Sequence, residues 1–90
     1  MVSLPLIWQR VAEYYNVPVR TITDNYDTNR SFQRIRAVAY TVAHRLDYSK
    51  TEIAKAVGRY PSTITEVVNQ TERLTDNDST LEHTIRKLMA

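Results

Sequence analysis

The chain has 90 residues, 42% of them hydrophobic, with a formal net charge of +2 and no cysteine. A chain this short forms one domain with a modest core and leaves little room for a catalytic cleft, and the lack of cysteine excludes a disulfide framework and a thiolate zinc site. No apolar run in the sequence reaches the length of a membrane span, and the first residues lack the basic region of a signal peptide. We therefore expect a single cytoplasmic domain over residues 1–90.

The spacing of hydrophobic residues predicts three helices in the first half of the chain. The first is amphipathic over residues 5–15, with Ser3 and Pro5 as start signals and Asn16 at its end. A short helical turn to about Thr23 and a polar loop over residues 24–29 follow. Ser31 is the expected N-cap of a long third helix. The apolar stripe of that helix comprises Phe32, Ile35, Ala39, Val42 and Leu46.

A fourth, short helix is indicated by a capping box and a glycine. Ser49 and Glu52 stand at the spacing at which the two side chains satisfy free N–H groups at a helix start. Gly58, the only glycine, fits the left-handed position that ends a helix.

Two more helices are predicted towards the C-terminus. Pro61 suits the first turn of the fifth helix, and Ser79 and Glu82 repeat the capping-box spacing at the start of the sixth. The buried side of the fifth helix is expected at Ile64, Val67, Val68, Thr71 and Leu74, and that of the sixth at Leu81, Ile85 and Leu88. The fold class is therefore all-α, with about six helices.

Basic residues are concentrated in the middle of the chain. Residues 30–59 hold seven basic and two acidic side chains, a local balance of +5. The ordinary interpretation of such a segment is a solvated helical surface, and a nucleic-acid interface is the alternative. The basic residues are Arg30, Arg34, Arg36, Arg45, Lys50, Lys55 and Arg59.

The fourth and fifth predicted helices have the spacing of a helix-turn-helix between about residues 49 and 74. Ala54 precedes Gly58 by four residues and Ile64 follows it by six. Two steeply crossing helices need a small side chain where they approach and a residue that tolerates positive φ in the turn. A helix corner without DNA binding would show the same spacing. The outward positions of the second helix are Ser62, Thr63, Glu66, Asn69, Gln70 and Arg73, which can reach bases and phosphates.

Three segments also resemble one family. Residues 7–17 read IWQRVAEYYNV, Arg34-Ile35-Arg36 begins a helix rich in Ala and Val, and residues 49–53 follow the pattern Ser-x-x-Glu-Ile. With them, nearly the whole chain resembles the C-terminal DNA-binding domain of the bacterial replication initiator DnaA, which belongs with Trp repressor among helix-turn-helix folds. The resemblance implies that an arginine at the start of the long helix enters the minor groove, and the alignment places Arg36, with Arg34 beside it, at that point. Surface solubility or packing of the arginine stems is the alternative role of Arg34 and Arg36.

The signature loop of that family differs in this chain. Tyr60 and Pro61 stand where the family has base-reading Asp and His, and one Gly is missing. The resemblance therefore supports the fold more firmly than it supports recognition of the family's usual DNA box. Tyr60 could contact a sugar or a thymine methyl group, or form a partly buried hydrophobic staple. The residues expected to contact DNA are Arg34, Arg36, Ser49, Lys50, Arg59, Tyr60, Ser62, Thr63, Glu66, Asn69 and Gln70.

No catalytic, metal or cofactor motif is present in the sequence. His44 and His83 lack a partner at ligand spacing, and one glycine cannot build a phosphate-binding loop. We expect a non-enzymatic, monomeric transcription regulator that binds double-stranded DNA and possesses no metal or cofactor. Two alternatives are a factor that competes with the initiator at a replication origin and a protein-interaction module without DNA binding. A protein of the transcription or replication machinery is a further candidate partner beside DNA.

Overall fold

A computed structural model describes residues 2–24 and 28–90 and shows six α-helices and no strand within them. The helices are α1 (Leu4–Tyr15), α2 (Arg20–Thr23), α3 (Arg30–Arg45), α4 (Lys50–Val57), α5 (Pro61–Thr75) and α6 (Ser79–Met89). The all-α prediction with about six helices is therefore confirmed. Of the polar loop predicted over residues 24–29, residues 25–27 lie outside the described residues. No helix in the described part of the chain is both long and apolar enough to cross a membrane.

Two helix starts differ from prediction because a better cap lies one or two residues earlier. The Asn29 side chain accepts a hydrogen bond from the Ser31 N–H at 2.9 Å, so α3 begins at Arg30 and Ser31 is not its N-cap. Similarly, the Asp78 carboxylate accepts from the Leu81 N–H at 3.0 Å. Ser79 is consequently the first residue of α6, because Asn and Asp cap at least as well as Ser.

The capping box at α4 is formed as predicted. The Ser49 hydroxyl accepts from the Glu52 N–H at 3.0 Å, and the Glu52 carboxylate accepts from the Ser49 N–H at 3.3 Å. These reciprocal bonds satisfy two donors that the helix itself cannot pair. They fix the start of α4 and, with it, the direction in which the chain approaches the turn before α5.

Helix α3 lies at the centre of the domain and contacts all five other helices. Its Tyr40 is fully buried and packs edge-on against Trp8 of α1, with ring centroids 6.2 Å apart. The expected buried side of α5 is correct at Ile64, Val68 and Thr71 but wrong at Leu74, which is 56% exposed. The other side chains with zero exposure among the core hydrophobics are Ile7, Val11, Ile22, Ala39, Val42, Ala43, Ile53, Ile64 and Ile85.

An ion-pair network ties α3 to α5 and α6. The Arg45 guanidinium donates to both oxygens of Glu82, at 2.7 and 2.8 Å, and to both oxygens of Glu72. Arg86 donates to Glu82 as well, at 2.6 Å. Hydrogen bonds from Arg45 and Arg86 lower the pKa of Glu82 to about 2. Glu82 is thus occupied in joining helices and has no part in a capping box.

Candidate nucleic-acid interface

A three-residue turn joins α4 to α5. Gly58 adopts the left-handed conformation, with φ 68° and ψ 36°, and the Arg59 N–H donates to the Ala54 carbonyl at 2.9 Å. Tyr60 is extended, with φ −78° and ψ 144°, and Pro61 is the first helical residue. The left-handed residue reverses the chain and the extended residue redirects it, so α5 leaves the turn along a new axis.

Buried apolar side chains on both helices hold α5 in place. Ala54 of α4 is 1% exposed, so the small residue expected where the two helices approach is buried. Val67, which was expected to be buried, lies at the margin of the core. The remaining buried apolar positions of the pair are Ile53, Val57, Ile64 and Val68. Because these residues fill one side of α5, its opposite side is left in contact with solvent.

That opposite side carries the polar residues expected from the sequence. Tyr60, at the start of α5, is 79% exposed and is therefore not a buried staple. Thr63 is partly buried within the first turn of the helix. The exposed positions along the helix are Ser62, Glu66, Asn69, Gln70 and Arg73. Their hydroxyl, carboxylate, amide and guanidinium groups can donate to or accept from base edges and phosphates.

The structure separates the basic segment into available and unavailable side chains. Arg30, Arg34 and Lys55 are exposed, and Lys50 and Arg59 are partly exposed. Arg45 is held by two carboxylates, as described above. Five of the seven basic residues therefore remain able to meet a polyanion. Arg30 and Lys55 were not among the expected contacts, although their place in the basic segment marks them as candidates.

Arg36, by contrast, is a structural residue in this fold. Its side chain is only 2% exposed, and its Nε donates to the Thr21 carbonyl at 2.7 Å, which joins α3 to α2. A minor-groove contact would require the side chain to leave this position. The alternative named for Arg36 from the sequence, packing of its stem, agrees with the geometry, because the residue lies at the edge of the apolar stripe of α3 and faces α2.

Ser49 and Arg59 have local roles that do not remove them from the surface. Ser49 is exposed while its hydroxyl caps α4, so its own O–H can still donate. Burial raises the pKa of the Tyr40 hydroxyl, and the positive charges of Arg59 and Arg36 offset part of this rise. The Arg59 guanidinium thus contributes positive potential both to the core beneath the turn and to the solvent outside it.

The two histidines lie on different helices, His44 on α3 and His83 on α6. The His44 ring lies 3.2 Å from the Tyr48 carbonyl through Nδ1, and His83 is exposed on α6. In the described part of the chain, no three His, Asp, Glu or Cys side chains come close enough together to hold a metal ion.

No protein-family model matches the sequence, and no curated protein matches it. The case for a function therefore depends on the chain's own residues.

Proposed function

We propose that this protein is a non-enzymatic, double-stranded DNA-binding protein in which α4, the turn and α5 act as a helix-turn-helix. In this hypothesis the start of α5 enters the major groove and the domain binds as a monomer to regulate transcription. The observation that carries the proposal is the two-sided character of α5. One side is buried against α4 and α3, and the other presents polar side chains to solvent from Tyr60 to Arg73.

The first turns of α5 supply the groups for base recognition. In a helix-turn-helix, residues near the N-terminus of the second helix reach deepest into the major groove. Here these are Ser62, Thr63 and Glu66, of which the hydroxyls can both donate and accept and the carboxylate can only accept. Glu66 therefore favours the amino group of cytosine. Tyr60, whose exposed ring stands at the helix entrance, can contact a thymine methyl group or a sugar.

The available basic residues supply the contacts with the phosphate backbone. They lie at the start of α3, on α4 and in the turn, all of which precede α5 along the chain. Neutralising five phosphates releases bound counterions and predicts a slope of about −4 to −5 for log affinity against log salt concentration. The residues that would make these contacts are Arg30, Arg34, Lys50, Lys55 and Arg59.

The test begins with selection of bound sequences from a random duplex pool, followed by anisotropy titrations at several salt concentrations. The selected site should bind more tightly than a scrambled duplex, with the slope given above. Arg34→Ala should weaken binding to both duplexes and reduce the slope by about 1, since it removes one phosphate contact. Lys87→Ala is the matched control, because Lys87 is an exposed cation on α6 beside the Tyr14 ring.

Three outcomes would change the proposal. A slope near zero would leave α4 and α5 as a helix corner in a protein-interaction module. Enrichment of the initiator's usual box would favour a factor acting at a replication origin over a transcription regulator. A selected sequence made of two symmetric half-sites would replace the monomer with a dimer.

A further inference from the structure

An open cavity of about 400 Å³ lies between α3, α5 and the start of α6. Its apolar wall includes Ile35 and Val38 of α3, Leu74 of α5 and Leu81 of α6. Leu74 lies on the apolar side of α5 and lines this open cavity. It is therefore exposed to solvent, although its helical phase matches that of the buried residues. Its volume falls within the range of about 300 to 1,000 Å³ that is typical of small-molecule sites.

Residues with polar side chains also line the cavity. Arg34, Ser31 and Tyr15 line it, and within the described residues none of their side chains makes a hydrogen bond or an ion pair. Burial raises the pKa of Tyr15, so its hydroxyl remains a protonated donor at neutral pH. An apolar recess with a few convergent donors is the usual arrangement of a ligand site.

The charges at this edge favour an anion. Among the described residues, Asp78 is the only acidic one in the lining, and its carboxylate accepts from the Leu81 N–H, where it offsets the positive end of α6. Arg34 has no such partner among the described residues, so its guanidinium is the charge available to a ligand. Guanidinium groups bind carboxylates and sulfonates through paired hydrogen bonds.

We propose that this cavity binds a small apolar monoanion, with its apolar body against Leu74 and Val38 and its carboxylate or sulfonate on Arg34. The ligand would compete with DNA, because Arg34 cannot hold both a ligand anion and a phosphate. This competition rests on the proposed DNA-binding function, whereas the binding of the anion does not.

The first test uses the fluorescent sulfonate 1-anilinonaphthalene-8-sulfonate and its uncharged analogue N-phenyl-1-naphthylamine, both without DNA. Arg34→Gln should weaken the sulfonate about tenfold and leave the uncharged probe unchanged, since a charged hydrogen bond is lost. Ser31→Trp should exclude both probes, because it adds a large side chain at the exposed edge of the cavity. Lys87→Gln removes a distant charge and should change neither affinity.

A second measurement on the unmodified protein locates the probes. Amide resonances of Ile35, Val38, Leu74 and Leu81 should shift in a ¹H–¹⁵N spectrum as the sulfonate is added. Shifts confined to other residues, or sulfonate binding that Arg34→Gln leaves intact, would overturn the proposal. Saturating sulfonate should then lower the affinity for the selected duplex. If it binds at the cavity and DNA affinity is unchanged, the anion site stands and only the competition is lost; if no duplex is bound at all, the proposed function alone fails.

Discussion

Replacing Gly58 by alanine tests the turn between α4 and α5 with a single methyl group. A Cβ at this position meets no heavy atom within 4 Å, so the cost of the substitution comes from the backbone and not from a clash. The left-handed conformation costs an L-residue about 1–2 kcal/mol. Alanine also restricts the unfolded chain, which returns about 0.4–1 kcal/mol. We therefore expect Gly58→Ala to lower the free energy of unfolding by about 1 kcal/mol.

This change is large enough to measure in a small domain. For 60–100 residues, about 1 kcal/mol corresponds to a fall in melting temperature of about 4–8 °C, which a thermal melt followed by circular dichroism resolves. Gly58→Asn should cost less, since asparagine tolerates the left-handed region better than alanine. Asp47 also has positive φ, at 75°. Glycine adopts this conformation without strain, so Asp47→Gly should not destabilise the backbone at this position.

Two results would refute the reasoning about Gly58. A Gly58→Ala variant that melts at or above the unmodified protein would show that the residue is not held at positive φ. A loss of several kcal/mol would show that the added methyl group meets a neighbour that the structure places farther away. In the expected case, affinity for the selected duplex at 25 °C should be unchanged, because open space at the Cβ lets α4 and α5 keep their relative orientation.

Four further substitutions and one acid titration test the core, the site and the ion-pair network. Ile64→Ala should cost about 2–5 kcal/mol of stability, because the side chain is fully buried. Glu66→Ala should change stability by less than about 0.5 kcal/mol and relax the preference at one base pair. Thermal melts would show the changes in stability, and titrations against single-base variants of the site would show the change in base preference. Tyr40→Phe should raise stability by about 1 kcal/mol in urea titrations, because the buried hydroxyl has no hydrogen-bond partner among the described residues. Since the pKa of Glu82 is lowered to about 2, the carboxylate contributes stability above about pH 4.5 that is lost as the pH falls towards 2. Arg45→Met should flatten that part of an acid unfolding curve.

The helices could be predicted from the sequence because their signals are local. Apolar residues recur with the period of a helix, and glycine, proline and the capping box act within a few residues of where they stand. The errors at Ser31 and Ser79 arose where two possible caps lie close together, at Asn29 and Asp78, and composition alone does not rank them. The error at Leu74 has a different cause. Helical phase shows which side of α5 a residue occupies, but the depth of packing there depends on how closely α3 and α6 approach.

The candidate site was less predictable, because a count of charges along the chain does not show how deeply each charged side chain is buried. Residues 30–59 have a balance of +5, yet Arg36 is buried against α2 and Arg45 is neutralised by Glu72 and Glu82 from outside the segment. Those two acids are far away in sequence and become neighbours only when α5 and α6 fold onto α3.

The loss of two arginines from the surface makes the salt dependence of binding diagnostic. Five contacts correspond to a slope of about −4.5, and seven would give about −6.3. A slope near the second value would require two further contacts, which Arg36 and Arg45 could supply only by leaving their partners when DNA binds. If Arg45 did so, its network would open and acid unfolding in the complex would change, whereas binding by the surface as folded leaves that network intact. A slope near −4.5 with unchanged acid unfolding would therefore assign DNA binding to the exposed residues of α3, α4 and the turn, with Arg36 retained as the link between α2 and α3.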